Sequence, residues 1–128
     1  MYGFSIQLKD TFENALRRVN KVLSSEGFGL LTEIDAQAAL KAKLGVKMRP
    51  YRILGAYSPL LAHQALRTDP DIGVLLPCNV VVREEAAGKV IVAFMDPAVV
   101  MSLGERREIS KLGMKVRRRL ERCCGRLK

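Results

Sequence analysis

The chain has 128 residues, of which 48% are hydrophobic and 27% charged, and its formal net charge is +9. These values predict one globular domain, residues 1–128, with an ordinary hydrophobic core. No apolar run approaches the ~20 residues of a membrane span, and the N-terminal sequence MYGFSIQLKD lacks the basic start and long apolar stretch of a secretory signal. We therefore expect a cytoplasmic protein with reduced cysteines and no membrane partner.

The first third of the chain predicts two strands that flank an amphipathic helix. Tyr2–Lys9 alternates apolar and polar residues, which is typical of a half-buried strand. Asp10 begins a capping-box pattern for the following helix, and Gly27 ends that helix. In the second strand, Phe28–Ile34, Glu33 lies between apolar neighbours. A carboxylate in such a position is usually solvated, but it can also be directed into a pocket.

Two short helices and a third strand follow. The helix Ala36–Leu44 lies before the loop that leads to the strand Tyr51–Tyr57. Ser58-Pro59 is an N-cap followed by proline, and it predicts a helix over Leu60–Arg67. This helix carries His63, the only histidine, which is either a surface residue or a ligand-binding residue.

A β-hairpin is predicted next. Its strands are Val74–Val82 and Val90–Met95, and the loop between them ends at Gly88. Pro77 has no N–H to donate to a strand ladder, so we expect an edge strand or a bulge there.

Cys78 and Asn79 follow this proline and allow two interpretations. A kinked strand could present the thiol and the amide to a pocket, or Cys78 could be a small residue of the buried core. A pocket with Cys78, His63 and Glu33 would offer the mixed ligands that suit zinc. Cys78 as a nucleophile with His63 as its base would instead indicate an enzyme.

The C-terminal helix, predicted from about Glu105, is strongly basic. Residues 105–128 contain ten Lys or Arg and three Glu, so they carry +7 of the +9 net charge. Weak nucleic-acid binding is one interpretation. Aromatic residues make up only 5% and Trp is absent, so no stacking platform is available. We favour a solvated helix face or an acidic partner. Along this helix we expect Cys123 to be packed and Cys124 exposed.

The order of elements predicts an α+β fold. We expect a mostly antiparallel five-stranded sheet with the two long helices on one face. The other face would keep exposed apolar positions, which usually mark an interface. A homodimer is therefore expected, because closed two-fold dimers are the commonest oligomers.

Several motifs of the chain form a characteristic set: Gly27-Phe28, Thr32-Glu33-Ile34-Asp35, Gly55-Ala56-Tyr57-Ser58-Pro59, Leu75–Val82 with its Pro-Cys-Asn, and Asp96-Pro97. Together they resemble the domain-of-unknown-function 302 family of bacteria and archaea. The resemblance implies a β-α-β(4)-α sheet fold like that of the TATA-binding protein, and frequent dimers. Many relatives carry Cys and Asn where this chain has Tyr57 and Ser58, so a mechanism that needs two thiols does not transfer.

Taken together, these observations predict a small ligand-binding or sensory domain. Its pocket would be framed by Cys78, Asn79 and Tyr57, with Glu33 and His63 as further candidates. Cys78 and His63 are the candidate metal ligands, with zinc as the metal. A cysteine-dependent enzyme, or weak nucleic-acid binding by the C-terminal helix, is the alternative.

Overall fold

The structure, a computed structural model, describes residues 2–104 and 106–128. Its strands are β1 (Gly3–Lys9), β2 (Gly29–Asp35), β3 (Tyr51–Tyr57), β4 (Cys78–Ala86) and β5 (Lys89–Met95). Its helices are α1 (Phe12–Ser25), α2 (Ala36–Leu44), α3 (Pro59–Thr68), α4 (Pro97–Met101) and α5 (Arg107–Leu127), with a 3₁₀ helix over Pro70–Leu75. The strands form one sheet in the order β1-β5-β4-β3-β2, and every pairing is antiparallel. The predicted α+β fold with a five-stranded antiparallel sheet is confirmed.

Strand alternation divides the sheet into a covered face and an uncovered face. On β1, β3, β4 and β5 the even-numbered apolar residues lie under the helices. Leu54, Val80 and Val92, for example, are each 0% exposed. α1 and α5 supply the other half of this main cluster, for example through Val19 and Leu120. Burial of these alternating side chains fixes the register, because a slip by one residue would expose the whole set.

A second, smaller hydrophobic cluster lies beside the main cluster. It consists of Ala65 from α3, Ile72 from the 3₁₀ helix, Met101 from α4 and Ile109 from α5. The first half of α5 thus packs in the second cluster, and its second half packs in the main cluster. This long helix therefore connects the two clusters.

The beginning of the hairpin differs from the prediction. The strand β4 begins at Cys78 and lies inside the sheet, so Pro77 is neither on an edge strand nor within a strand. The preceding residues form the 3₁₀ helix, which Asp69 caps by accepting the N–H of Asp71 at 3.1 Å. Since Pro77 lacks an N–H, the ladder can start only after it.

The beginning of α1 also differs in detail. Thr11, and not Asp10, is the N-cap residue, and its side chain accepts the N–H of Asn14 at 3.2 Å. Asp10 instead accepts the N–H of Thr11 at 2.8 Å and forms an ion pair with Arg18 at 3.1 Å. The hydrogen bond from the side chain of Asn14 is the largest cause that lowers the pKa of Asp10.

Gly113 allows α4 and α5 to approach closely. A Cβ atom at this position would lie 2.7 Å from the carbonyl oxygen of Pro97 and 2.9 Å from Cβ of Met101. Both neighbours are held within packed elements, so neither can move away freely. The glycine in the middle of the helix is thus a packing requirement of the second cluster.

We predict that Gly113→Ala lowers the free energy of unfolding by about 1–2 kcal/mol, because overpacking costs more than the ~1 kcal/mol that alanine gains in helix propensity. Gly125→Ala is the matched control, since a Cβ there has no neighbour within 4 Å. The control should be neutral or slightly stabilising in chemical denaturation. Equal stabilisation by both substitutions would show that α4 and α5 are not in close contact.

Candidate functional site

An apolar cleft lies at the end of the sheet where β3 ends and β4 begins. α3, α4 and the first half of α5 form its other walls. Its volume is about 30 Å³, which is room for one or two water molecules. The cleft is lined by Phe28, Tyr57, Ser58, Leu61, Ala62, Ala65, Leu76, Cys78, Met101, Ile109, Leu112, Gly113 and Val116.

The position of the cleft follows from the two hydrophobic clusters. Its wall includes Phe28 and Cys78 of the main cluster and Ala65, Met101 and Ile109 of the second cluster. The cleft is therefore the seam between them, where neither cluster fills the space completely. The small side chain of Ala62 at this seam leaves room that a larger side chain would occupy.

The structure brings together two of the predicted site residues, Tyr57 and Cys78. Strand pairing explains this, since Cys78 lies opposite Ala56, the residue before Tyr57. Both residues belong to the lining of the cleft.

Burial determines the chemistry of the Cys78 thiol. The residue is only 4% exposed, and desolvation raises its pKa to about 11. The thiol is thus protonated at neutral pH, whereas the thiolate is the nucleophile and the metal ligand. Cys78 therefore contributes an apolar, polarisable surface to the cleft.

His63 lies on α3 but outside the cleft. Its side chain is exposed, and the α3 residues that line the cleft are Leu61, Ala62 and Ala65. The structure therefore does not place an imidazole beside the Cys78 thiol.

Asn79 and Glu33 also lie elsewhere. Asn79 is exposed and follows Cys78 in the strand, so its side chain points to the opposite face of the sheet. Glu33 is exposed and forms an ion pair with Arg52 at 2.5 Å. Its carboxylate is thus exposed to solvent and is not directed into the cleft.

No metal centre is formed by the residues that the structure describes. Within residues 2–104 and 106–128 there is no group of three or more His, Cys, Asp or Glu side chains that could hold a metal ion. Cys78, His63 and Glu33 are not brought together, so the fold gives no support to a zinc site.

One polar group in the wall of the cleft was considered in the sequence only as a helix cap. Ser58 is 6% exposed, and its side chain makes no capping hydrogen bond to α3. Its hydroxyl oxygen instead accepts a hydrogen bond from Nη1 of Arg119 at 3.3 Å. This contact joins residues far apart in the chain, so no local pattern indicates it.

The two adjacent cysteines of α5 are both buried, and the prediction that Cys124 is exposed is wrong. Cys123 is 0% exposed and Cys124 is 8% exposed, and both belong to the main cluster. This part of α5 packs against α1 and lies near β1, so two neighbouring positions of the helix are covered. Burial raises the pKa of Cys123 to about 11 and that of Cys124 above its ordinary value.

Several cations of α5 are engaged within the molecule. Arg122 forms an ion pair with Glu26 at 2.8 Å, and Arg126 lies 3.6 Å from the same carboxylate. Arg117 contacts Glu121 at 2.8 Å and Asp96 at 3.6 Å. These pairs attach the second half of α5 to the domain, so part of the basic character has a structural explanation.

Among the helices of the described residues, none is long and apolar enough to cross a membrane.

The comparisons with known proteins agree with this fold. The family described as "Domain of unknown function DUF302" matches residues 4–127. The fold is similar to the crystal structure of an uncharacterized conserved DUF302 protein from Bacillus stearothermophilus, with a TM-score of 0.91 and 23% identity, covering 100% of this chain and 99% of that one. No curated protein matches the chain. The match over nearly the whole length shows that the chain belongs to the DUF302 family.

Proposed function

We propose that this protein is a small-molecule-binding domain that takes an apolar group of its ligand into the cleft. The observation that carries this proposal is an open, almost entirely apolar space at the seam of two hydrophobic clusters, with Tyr57 and Cys78 in its wall. Ligand sites are typically concave and apolar with few polar groups. Ser58 and Tyr57 are the polar residues of its lining.

The buried, protonated thiol of Cys78 favours a binding function over a catalytic one. A buried thiol with a pKa of about 11 is a poor nucleophile at neutral pH. His63, the candidate base, is exposed and outside the cleft. The cysteine-dependent enzyme is therefore the weaker alternative.

The ligand has to widen the cleft, since about 30 Å³ holds no more than water. We propose that α3 moves away from α5 when the ligand enters. α3 is short, packs against α5 and the 3₁₀ helix, and begins at Ser58, whose side chain does not cap it. Leu61 and Met101 are flexible side chains that can adapt their rotamers to an apolar group.

This proposal predicts that a neutral apolar compound, 1-octanol, slows alkylation of Cys78 by iodoacetamide. The reaction is best followed at pH 8 to 10 by peptide mapping, because the rate rises with the thiolate fraction up to the pKa of about 11. Cys123 and Cys124 are internal controls, as they are buried away from the cleft, and their rates should not change.

Two variants complete the experiment. Ala62→Leu fills the cleft and should abolish protection by octanol, whereas Ala39→Leu on the exposed side of α2 should preserve it. If octanol leaves the rate at Cys78 unchanged in the unaltered protein, the cleft does not bind apolar groups.

We further propose that two copies of the chain associate through the uncovered face of the sheet. Ile53, Val81, Ile91 and Ala93 lie on this face and are only half-buried, and Ile34 is 47% exposed. A contiguous apolar surface of this kind usually marks an interface, and a second copy would cover it. A cytoplasmic location is also proposed, and the free state of the cysteines supports it.

Sedimentation velocity tests the dimer. We predict a dimer at micromolar concentration, and we predict that Val81→Lys produces a monomer, because a charge would be buried without a partner. Ala39→Lys on α2 is the control and should remain dimeric. A monomeric unaltered protein would refute the dimer.

A further inference from the structure

A basic groove runs along the solvent side of the cleft, between the same two helices. Its volume is about 460 Å³, and it is lined mainly by polar and charged side chains of α3 and α5: Gln64, Arg67, Thr68, Glu108, Lys111 and Lys115. Neither the proposed function nor the comparisons give this groove a role.

The groove and the cleft lie next to each other along α5. On α5, the groove residues Lys111 and Lys115 each precede a cleft residue by one position, namely Leu112 and Val116. One position rotates a side chain by about 100° around a helix axis, so the two sets form adjacent stripes of α5. Leu112 lines both spaces, which means that they share a wall.

The net charge of the groove is positive. Arg67, Lys111 and Lys115 are three cations, and Glu108 is one carboxylate, so the net charge is +2. Among residues 2–104 and 106–128, no ion pair engages any of these three cations. In contrast, the cations in the second half of α5, such as Arg122 and Arg126, are paired with Glu26.

On the basis of the proposed function, we infer that the ligand is a single-chain alkyl carboxylate. Its chain occupies the cleft, and its carboxylate lies in the basic groove near Arg67, Lys111 and Lys115. An apolar space beside an unpaired cationic surface is complementary to a molecule with an apolar chain and one anionic end. Glu108 lies in the same lining and repels an anionic head group, and it repels a dianionic phosphate more strongly than a monoanionic carboxylate.

Paired ligands of equal chain length test this inference. NMR chemical-shift titrations of the full chain would compare octanoate, octyl phosphate and 1-octanol. We expect octanoate to bind most tightly, with shifts at both the cleft and the groove. Its affinity should fall with added salt, as screening weakens exposed charge interactions. The affinity for decanoate should be higher than that for octanoate, by up to about fourfold for each additional methylene that is buried.

A charge-removal variant separates this inference from the proposed function. Lys111→Gln together with Lys115→Gln should weaken octanoate binding about five- to tenfold and leave 1-octanol unchanged. Arg118→Gln is the control, because Arg118 is exposed on α5 and outside both spaces. If octanol binds in the cleft as tightly as octanoate, the cleft proposal stands and the carboxylate inference fails.

Other outcomes are equally decisive. Tighter binding of octyl phosphate would assign the groove to a phosphate group and overturn the carboxylate. Failure of all three ligands to shift the cleft resonances would refute the proposed function itself. Co-sedimentation with anionic phospholipid vesicles in the absence of octanoate binding would identify the basic groove as a membrane-contact surface and contradict the inference.

Discussion

The packing of α5 against two separate hydrophobic clusters is the interaction on which the rest of this structure depends. Its second half completes the main cluster with Leu120 and Cys123, and its first half completes the second cluster with Ile109. Gly113 lies where the helix passes from one cluster to the other, and it allows α4 to approach within a distance that no Cβ would tolerate. The cleft lies at this transition, and its lining comes from both clusters.

The two halves of α5 differ in how strongly they are attached. In the second half, Arg122 and Arg126 pair with Glu26, and Arg18 of α1 donates to the carbonyl oxygen of Leu127 at 2.7 Å. The first half contacts α3 and α4 through apolar side chains, and its cations Lys111 and Lys115 point into a solvent-filled groove. Single exposed ion pairs contribute little, but Glu26 lies between two arginines and joins the ends of α1 and α5. This asymmetry supports the proposal that a ligand opens the contact between α3 and α5.

The sequence predicted the secondary-structure elements more accurately than it predicted the candidate functional site. Alternation and capping signals identified all five strands and the long helices, since each depends on neighbouring residues alone. The candidate site is formed by residues that are distant in the sequence. Tyr57 and Cys78 line the same cleft only because β3 pairs with β4. Asn79 follows Cys78 in the chain, yet it lies on the opposite face, as strand geometry requires. The burial of Cys124 and the approach of α3 to α5 follow from tertiary packing, which no local pattern records.

The most direct test of the account is a crystal structure of this protein under xenon pressure. An apolar, incompletely filled space binds xenon. Since the cleft is proposed to widen for an apolar group, the account predicts a xenon atom beside Cys78 and Leu112, and none in the Ala62→Leu variant. Absence of xenon from the cleft of the unaltered protein, with Leu61 and Met101 packed across the space, would contradict the claim that the seam between the clusters is a binding site.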